Sequence, residues 1–390
     1  VGPDRGSEEQ EGDRLTGRRG MASPPLRVGI ISAAWGAKAH LPAWRSLEGI
    51  EVTAICTSQP ETAAKAASDN NVARAFHDFR AMAADPEIDI VDCGTRPPLR
   101  HAMVLAALEA GKHVYNGIPF AKNMADAQAM ATSWRKAGTV AMVDAFMQSV
   151  PAMVQMKAMI DAGWIGTVFG ADVAFEVPLF TAAQTNVPDY AWFADPANGA
   201  SAGRNLGSHM LHLLVHFFGR VASIASDQSL MLGQWPLESG SIRPEVPDRA
   251  SMLLRHASGL ATRLEANWCK IGGEGFRFSA WGSKGRLETR APIFPMPHDT
   301  RLFGTRDPAL GTARMEEVAI APEHLKVPGC NAIPDRPETG LFALASGFAT
   351  MRDAITGERE AAPDFAQALH VQEVVETAVR AADERRWIDL

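Results

Sequence analysis

Three histidines, His209, His212 and His216, stand at i, i+3 and i+7, so on a helix they share one face. An imidazole titrates close to neutral pH without help, which suits it to take or give the proton of a substrate hydroxyl. His209 and His212 are the candidates for that work, with Lys122 a third group within reach from a different helix. The stretch HMLHLLVH holds no carboxylate and lacks the tighter grouping of zinc motifs, so no metal site is expected. Arg204 and Asn205, just ahead of His209, are candidates to bind substrate oxygens, although helix capping explains Asn205 equally well. Trp192, in the phrase YAWFADP, offers a face that suits a sugar ring or a planar aromatic substrate; core packing explains it as well.

A second set of residues is suited to hold a nucleotide. In LRVGIISAAWGAKAHLP (Leu26–Pro42), the apolar run Val28–Ile31 fits a buried parallel strand, and a helix-compatible run follows. Small residues in such a turn let the backbone approach a pyrophosphate at a helix N-terminus. Where G-x-G-x-x-G would stand, this chain has Ser32, Ala34 and Ala37, with Trp35 and Gly36 inside the turn. The next strand ends in Thr57-Ser58-Gln59, without the carboxylate that would take a ribose 2′-hydroxyl. Hydroxyls tolerate a phosphate there, so the expected cofactor is NADP or NAD, tilted toward NADP, with no adjacent arginine to clamp it.

These residues need elements to carry them. Strand candidates Val28–Ile31, Val52–Cys56, Ile88–Cys93, Val114–Tyr115 and Val140–Val143 alternate with helix candidates Leu41–Leu47, Glu61–Asp69, Arg100–Ala110 and Met124–Lys136. That order builds βαβ units, hence an α/β fold with a parallel sheet. Pro151 opens a helix to about Ala162, closed by Gly163 and Gly166. Longer β-prone runs then follow at Val168–Val177, Ser251–Arg255, Ala261–Asn267, Phe276–Trp281 and Gly285–Leu287, and predict a large, mostly antiparallel open sheet. The proline-rich segment Arg290–Pro337 reads as a surface excursion, and helices at Gly340–Ile355 and Asp364–Ala382 end the chain. The expected organisation is a disordered extension over 1–22 with Met21 as the working start, a Rossmann dinucleotide-binding domain over 23–147, and a substrate-binding and oligomerisation domain over 148–390. The final helices are expected to pack back toward the first domain.

Composition narrows the class. The 390 residues are enough for two domains with well-buried cores. A net charge of −7 and no Lys/Arg block argue against a nucleic-acid partner. Cys56, Cys93, Cys269 and Cys330 lie far apart with no CxxC, which favours reduced thiols and a cytoplasmic setting. No apolar run approaches the roughly 18 residues a membrane span needs, so no membrane partner is expected.

Taken in order, the phrases A-x-H-L-P (Ala37–Pro42), CTS-x-P-E-T-A (Cys56–Ala63), A-G-K-H-V-Y (Ala110–Tyr115) and the helix Gly207–His212 resemble the Gfo/Idh/MocA oxidoreductases from about Leu26 to the C-terminus. The resemblance is nearest the branch that includes the yeast galactose-regulon repressor and its bacterial relatives. It implies an N-terminal Rossmann domain and a C-terminal α/β domain, with one face of the open sheet over the nicotinamide and the other in the contacts of a dimer or tetramer. It places His209 beside the nicotinamide. The loop Gly94-Thr95-Arg96-Pro97 with His101 then lies over the cofactor's ribose and diphosphate, with Asn116 and Gly117 at the next strand end. The family's E-K-P triplet reads Gly117-Ile118-Pro119 here, so its lysine is replaced by Ile118, which is expected to line the substrate pocket. Asn205 and His212 stand where aspartates are usual. The implied activity is hydride transfer between NAD(P) and a secondary alcohol of a sugar, cyclitol or similar ring. Two other readings stay open: transient oxidation serving elimination or glycoside cleavage, and a non-catalytic NADP-binding regulator.

Overall fold

The computed structural model describes residues 24–184, 190–335 and 341–390; the expected disordered extension, residues 1–22, lies outside them. Six parallel strands come first: β1 (Leu26–Ile31), β2 (Ile50–Cys56), β3 (Arg74–Phe76), β4 (Ile90–Cys93), β5 (His113–Asn116) and β6 (Ala141–Val143). Between them run α1 (Leu41–Arg45), α2 (Pro60–Asp69), α3 (Phe79–Ala84), α4 (Pro97–Glu109) and α5 (Met124–Ala137). The sheet order is β3-β2-β1-β4-β5-β6. That order reverses direction between β1 and β4, and sheets of this kind take ligands at such a point, beyond the C-terminal strand ends. β4, β5 and β6 are almost wholly buried, as strands covered by helices on both faces should be.

Several boundaries differ from the sequence reading. A π-helical turn, Gly36–His40, precedes α1, which stops at Arg45 rather than Leu47. The strand expected from Ile88 begins at Ile90. Helix α4 starts three residues earlier than expected because Pro97 and Pro98 occupy positions whose N–H groups have no intrahelical partner. The short edge elements β3 and α3 were not expected; three and six residues hold too little periodicity to reveal them.

Helix α6 (Pro151–Asp161) leads into the second sheet, built from β7 (Val168–Glu176), β8 (Val221–Ser229), β11 (Arg249–His256), β12 (Ala261–Asn267), β13 (Gly275–Gly282), β14 (Gly285–Ala291), β15 (Arg301–Thr305), β16 (Glu316–Val318) and β17 (Ile388–Asp389). A separate hairpin pairs β9 (Trp235–Leu237) with β10 (Gly240–Ile242). The large sheet runs β16-β15-β14-β13-β7-β12-β11-β8-β17. Every pairing is antiparallel except β7 with β12, so the sheet is mixed but mostly antiparallel, as expected. The Arg290–Pro337 segment is more than an excursion, since it adds β15 and β16 to one edge.

Helix α7 (Ala202–Phe218) packs on β11 and β12. Helix α8 (Leu341–Ile355) packs on α1, and α9 (Phe365–Glu384) touches α5, α7 and β8, so both last helices return to the first half of the chain and α9 also joins it to the second. Among the described residues, no helix is long and apolar enough to cross a membrane.

Candidate active site

Beyond β1, Ser32 Oγ accepts the Ala34 N–H at 3.1 Å and turns the chain into the π-helical segment. Ala34 and Trp35 are exposed at its start, while Gly36 and Ala37 are buried. A Cβ on Gly36 would lie 2.8 Å from Ser32 Cβ, and one on Gly94 would lie 3.1 Å from Gly36 Cα. The turns after β1 and β4 therefore meet backbone to backbone, and the first N–H groups of the helical turn have no acceptor within it. At the end of β2 the Thr57 hydroxyl is engaged by Thr62 Oγ1 at 2.6 Å and the Gln59 carbonyl at 3.1 Å, whereas Ser58 is exposed. After β4, Thr95 Oγ1 donates to the Met103 sulfur at 3.5 Å, Pro97 starts α4, and His101 is half-buried on that helix. The Arg96 guanidinium lies 5.0 Å from the Trp192 ring centre, joining this loop to the second domain.

Beneath the turn lies a buried charge cluster that the sequence reading did not identify. His40 is fully buried, with Nδ1 2.9 Å from Asp92 Oδ2 and Nε2 3.3 Å from Asp144 Oδ2. Trp44 Nε1 donates to Asp92 at 2.7 Å. Burial pushes the His40 pKa down, but the two carboxylates outweigh it and raise the pKa to about 10. His40 is therefore an imidazolium held between two anions. Its place was visible in the A-x-H-L-P phrase, but its partners are 52 and 104 residues away.

Arg100 is a second unread feature. It is buried, donates Nε to the Thr95 carbonyl at 2.7 Å and Nη1 to the Pro119 carbonyl, and no carboxylate lies within ion-pair distance of it among the described residues. A Cβ on Gly117 would come 2.5 Å from Arg100 Nη2, so the guanidinium occupies the space a larger residue there would need. Neighbouring Ile118 is half-buried, and Asn116 donates Nδ2 to the Phe120 carbonyl at 3.0 Å while its buried Oδ1 has no partner.

On α7 the candidates separate. Ser201 caps the helix by accepting the Arg204 N–H at 3.1 Å, and Asn205 Oδ1 returns the favour to the Ser201 N–H at 3.1 Å. Both arms of Arg204 are taken by Glu376 of α9, at 2.7 and 2.6 Å. His209 is half-buried between Phe146 and Phe294, ring centres 6.0 and 5.5 Å away, with Nδ1 buried and unpartnered. Burial lowers its pKa to about 4, with Asp144 opposing and Arg100 adding to the fall, so it is neutral at pH 7. His212 is buried one turn on and receives a hydrogen bond from Gln367 Nε2 at 3.2 Å. His216 is exposed near the helix end, apart from the other two. Lys122 Nζ lies 4.0 Å from Asp126, and the half-buried Trp192 packs edge-on to Phe193.

A helix start with free N–H groups, a close glycine contact at the sheet's switch point, and orphaned buried polar atoms on Asn116 and His209 fit a nicotinamide dinucleotide. A neutral histidine between aromatic rings can accept a hydroxyl proton and return it.

Residues 26–145 match the sequence model of an oxidoreductase family described as having an NAD-binding Rossmann fold, and residues 153–288 match the GFO/IDH/MocA C-terminal domain. Among curated proteins, the dehydrogenase aclE of Aspergillus oryzae is 30% identical over 47% of this chain and 50% of its own length. The D-apiose dehydrogenase of Paraburkholderia graminis is 28% identical over 61% of this chain and 60% of its own length. Each alignment thus spans less than two thirds of the relative. A levoglucosan dehydrogenase solved in complex with NADH and levoglucosan superposes with a TM-score of 0.81 at 22% identity, over 94% of this chain and 99% of the other, which is a likeness of fold.

Proposed function

Because the chain belongs to the Gfo/Idh/MocA oxidoreductase family, both halves matching that family's domain models, we propose that it moves a hydride to or from a secondary alcohol carbon of a sugar, cyclitol or similarly oxygenated ring. The bound nicotinamide nucleotide supplies or accepts the hydride. The observation that carries this reading is the placement of neutral His209, on a helix packed on the second sheet, between Phe294 and Phe146, the latter just beyond the end of β6. His209 takes the hydroxyl proton during oxidation and returns it during reduction; the surrounding rings keep water from competing. Ile118 cannot share that proton, so the load falls on the imidazole.

NADP is the preferred nucleotide in this reading, since Thr57 and Ser58 leave no carboxylate in the strand-end position to repel a 2′-phosphate. We also assign the chain to the galactose-repressor branch on its A-x-H-L-P turn, and read the face of the large sheet that carries the ion pairs Arg249–Glu265 and Arg277–Asp172 as the contact of a homo-oligomer. Titration with NADP and NAD tests the foundation: no binding of either at millimolar concentration overturns it. His209→Ala should lower the rate by roughly 10²–10⁴; an unchanged rate reassigns the residue to packing. The absent lysine at Ile118 favours a second reading, transient oxidation with cofactor regeneration, and product without net absorbance change at catalytic cofactor would establish it.

A further inference from the structure

His212 is 1% exposed, and its ring nitrogens are in different situations. Nδ1 faces Gln367 Nε2 at 3.2 Å, and an amide nitrogen only donates, so Nδ1 is the acceptor. The ring proton of the neutral imidazole must then sit on Nε2. That Nε2–H is buried and has no partner. An unpaired buried donor carries its full desolvation cost, so folded proteins keep few of them. Here it lies one turn from His209, on the same face of α7.

We propose that His212 Nε2–H is a hydrogen-bond donor of the substrate subsite, and that the substrate presents to it an oxygen that can only accept: a carboxylate or a carbonyl. A carboxylate side chain in this position would demand a hydroxyl; a donor held by Gln367 demands the reverse. The local charges agree. No carboxylate is among the groups acting on His212, which are His209 and His370. The nearby acids Asp92 and Asp144 are engaged by His40, while Arg100 has no carboxylate partner and acts on His209. Gln367 is the positioning residue, since it fixes the tautomer through Nδ1.

The inference rests on reading the cleft as a hydride-transfer site, and the test separates the two. Full-length protein with isotope-labelled histidine is examined by nitrogen NMR, alone and with NADP, against hexoses, their uronates and their uronolactones in the gluco, galacto and manno series. The expected result is a bare Nδ1 and a protonated Nε2, with the Nε2 proton shifted and protected from exchange by at least one uronate or lactone and by no parent hexose; uronates and lactones distinguish carboxylate from carbonyl. Gln367→Glu, which can accept from Nδ1–H, should move the proton to Nδ1. His212→Asp should turn a preference for the acid or lactone into one for the hexose, by roughly 10–100-fold in affinity. A proton on Nδ1 in the wild type overturns the proposal, as does a persistent buried water on Nε2 that no sugar displaces. Absence of nucleotide binding defeats the hydride-transfer reading alone, because the tautomer and its response to the sugars are read without turnover.

Discussion

His40 shows how one side chain ties the helical turn that follows β1 to the ends of two other strands. It bridges Asp92 of β4 and Asp144 just after β6, with Trp44 completing the Asp92 shell. His40→Leu would leave two buried carboxylates facing each other, and should destabilise the protein by about 3–5 kcal/mol, measured by urea unfolding. Asp144→Asn keeps a polar partner for Nε2 and should cost less. Gly117 is a second sensitive position. Gly117→Ala places a methyl against a buried guanidinium pinned by two carbonyls, so a loss of about 1–3 kcal/mol is expected in the same assay. Ile118→Lys should leave turnover unchanged or lower, because Gly117 and His212 supply no carboxylate to balance a new ammonium near Arg100. A large rise in kcat at unchanged Tm would contradict that. That His209 and His212 share one face of a helix was legible from their spacing. The role of His40 was not, since it depends on carboxylates brought from distant strands.

Among the elements, α9 does more for the site than its position at the chain end suggests. Its Gln367 holds His212, its Glu376 holds Arg204, and its Gln372 accepts the Ala121 N–H at 3.3 Å while donating to Glu376 at 2.8 Å. One helix thus ties α7 to the loop after β5. Glu376→Gln removes a bidentate ion pair that is mostly shielded from solvent and should cost about 1.5–3 kcal/mol, seen as a lower Tm. Long elements were legible in outline: α5 and α9 carry clear apolar faces, and β11 alternates buried and open positions. The weakly patterned β8, with the sequence VASIASDQS, was not, because only Val221 and Ile224 are large apolar residues and their three-residue spacing does not follow strand alternation. Its place is fixed by pairing with β11 on one side and β17 on the other.

At the scale of the whole molecule, buried histidines predict how stability responds to pH. Burial lowers the pKa of His212 to about 3 and of His370 and His209 to about 4, against about 6.5 in the unfolded chain. Between pH 6.5 and about 4 the unfolded chain binds more protons, so stability falls as pH drops. His40 works in the opposite sense. Its folded pKa of about 10 exceeds the unfolded value, so its contribution is complete below about pH 6.5 and is lost as pH rises toward 10. Urea midpoints should therefore peak near neutrality, and a His40→Gln variant should show a flatter alkaline limb than the wild type.

The parallel pairing of β7 with β12 sets the order in which this protein can be made. β7 lies between β12 and β13, yet both neighbours are encoded after residue 260. A ribosome that has released Glu176 has therefore delivered the middle of a sheet with nothing on either side of it. The six strands of the first sheet are all available once Val143 has emerged, but the nascent β7, with Ala171, Val173 and Phe175 along its buried face, must wait through α7, β8 and β11 to β12. The interval between those events is when this chain is most exposed to aggregation and most dependent on chaperones. Translation intermediates halted before Ala261 should be digested rapidly across 168–250, whereas chains released after Gly282 should begin to resist protease there.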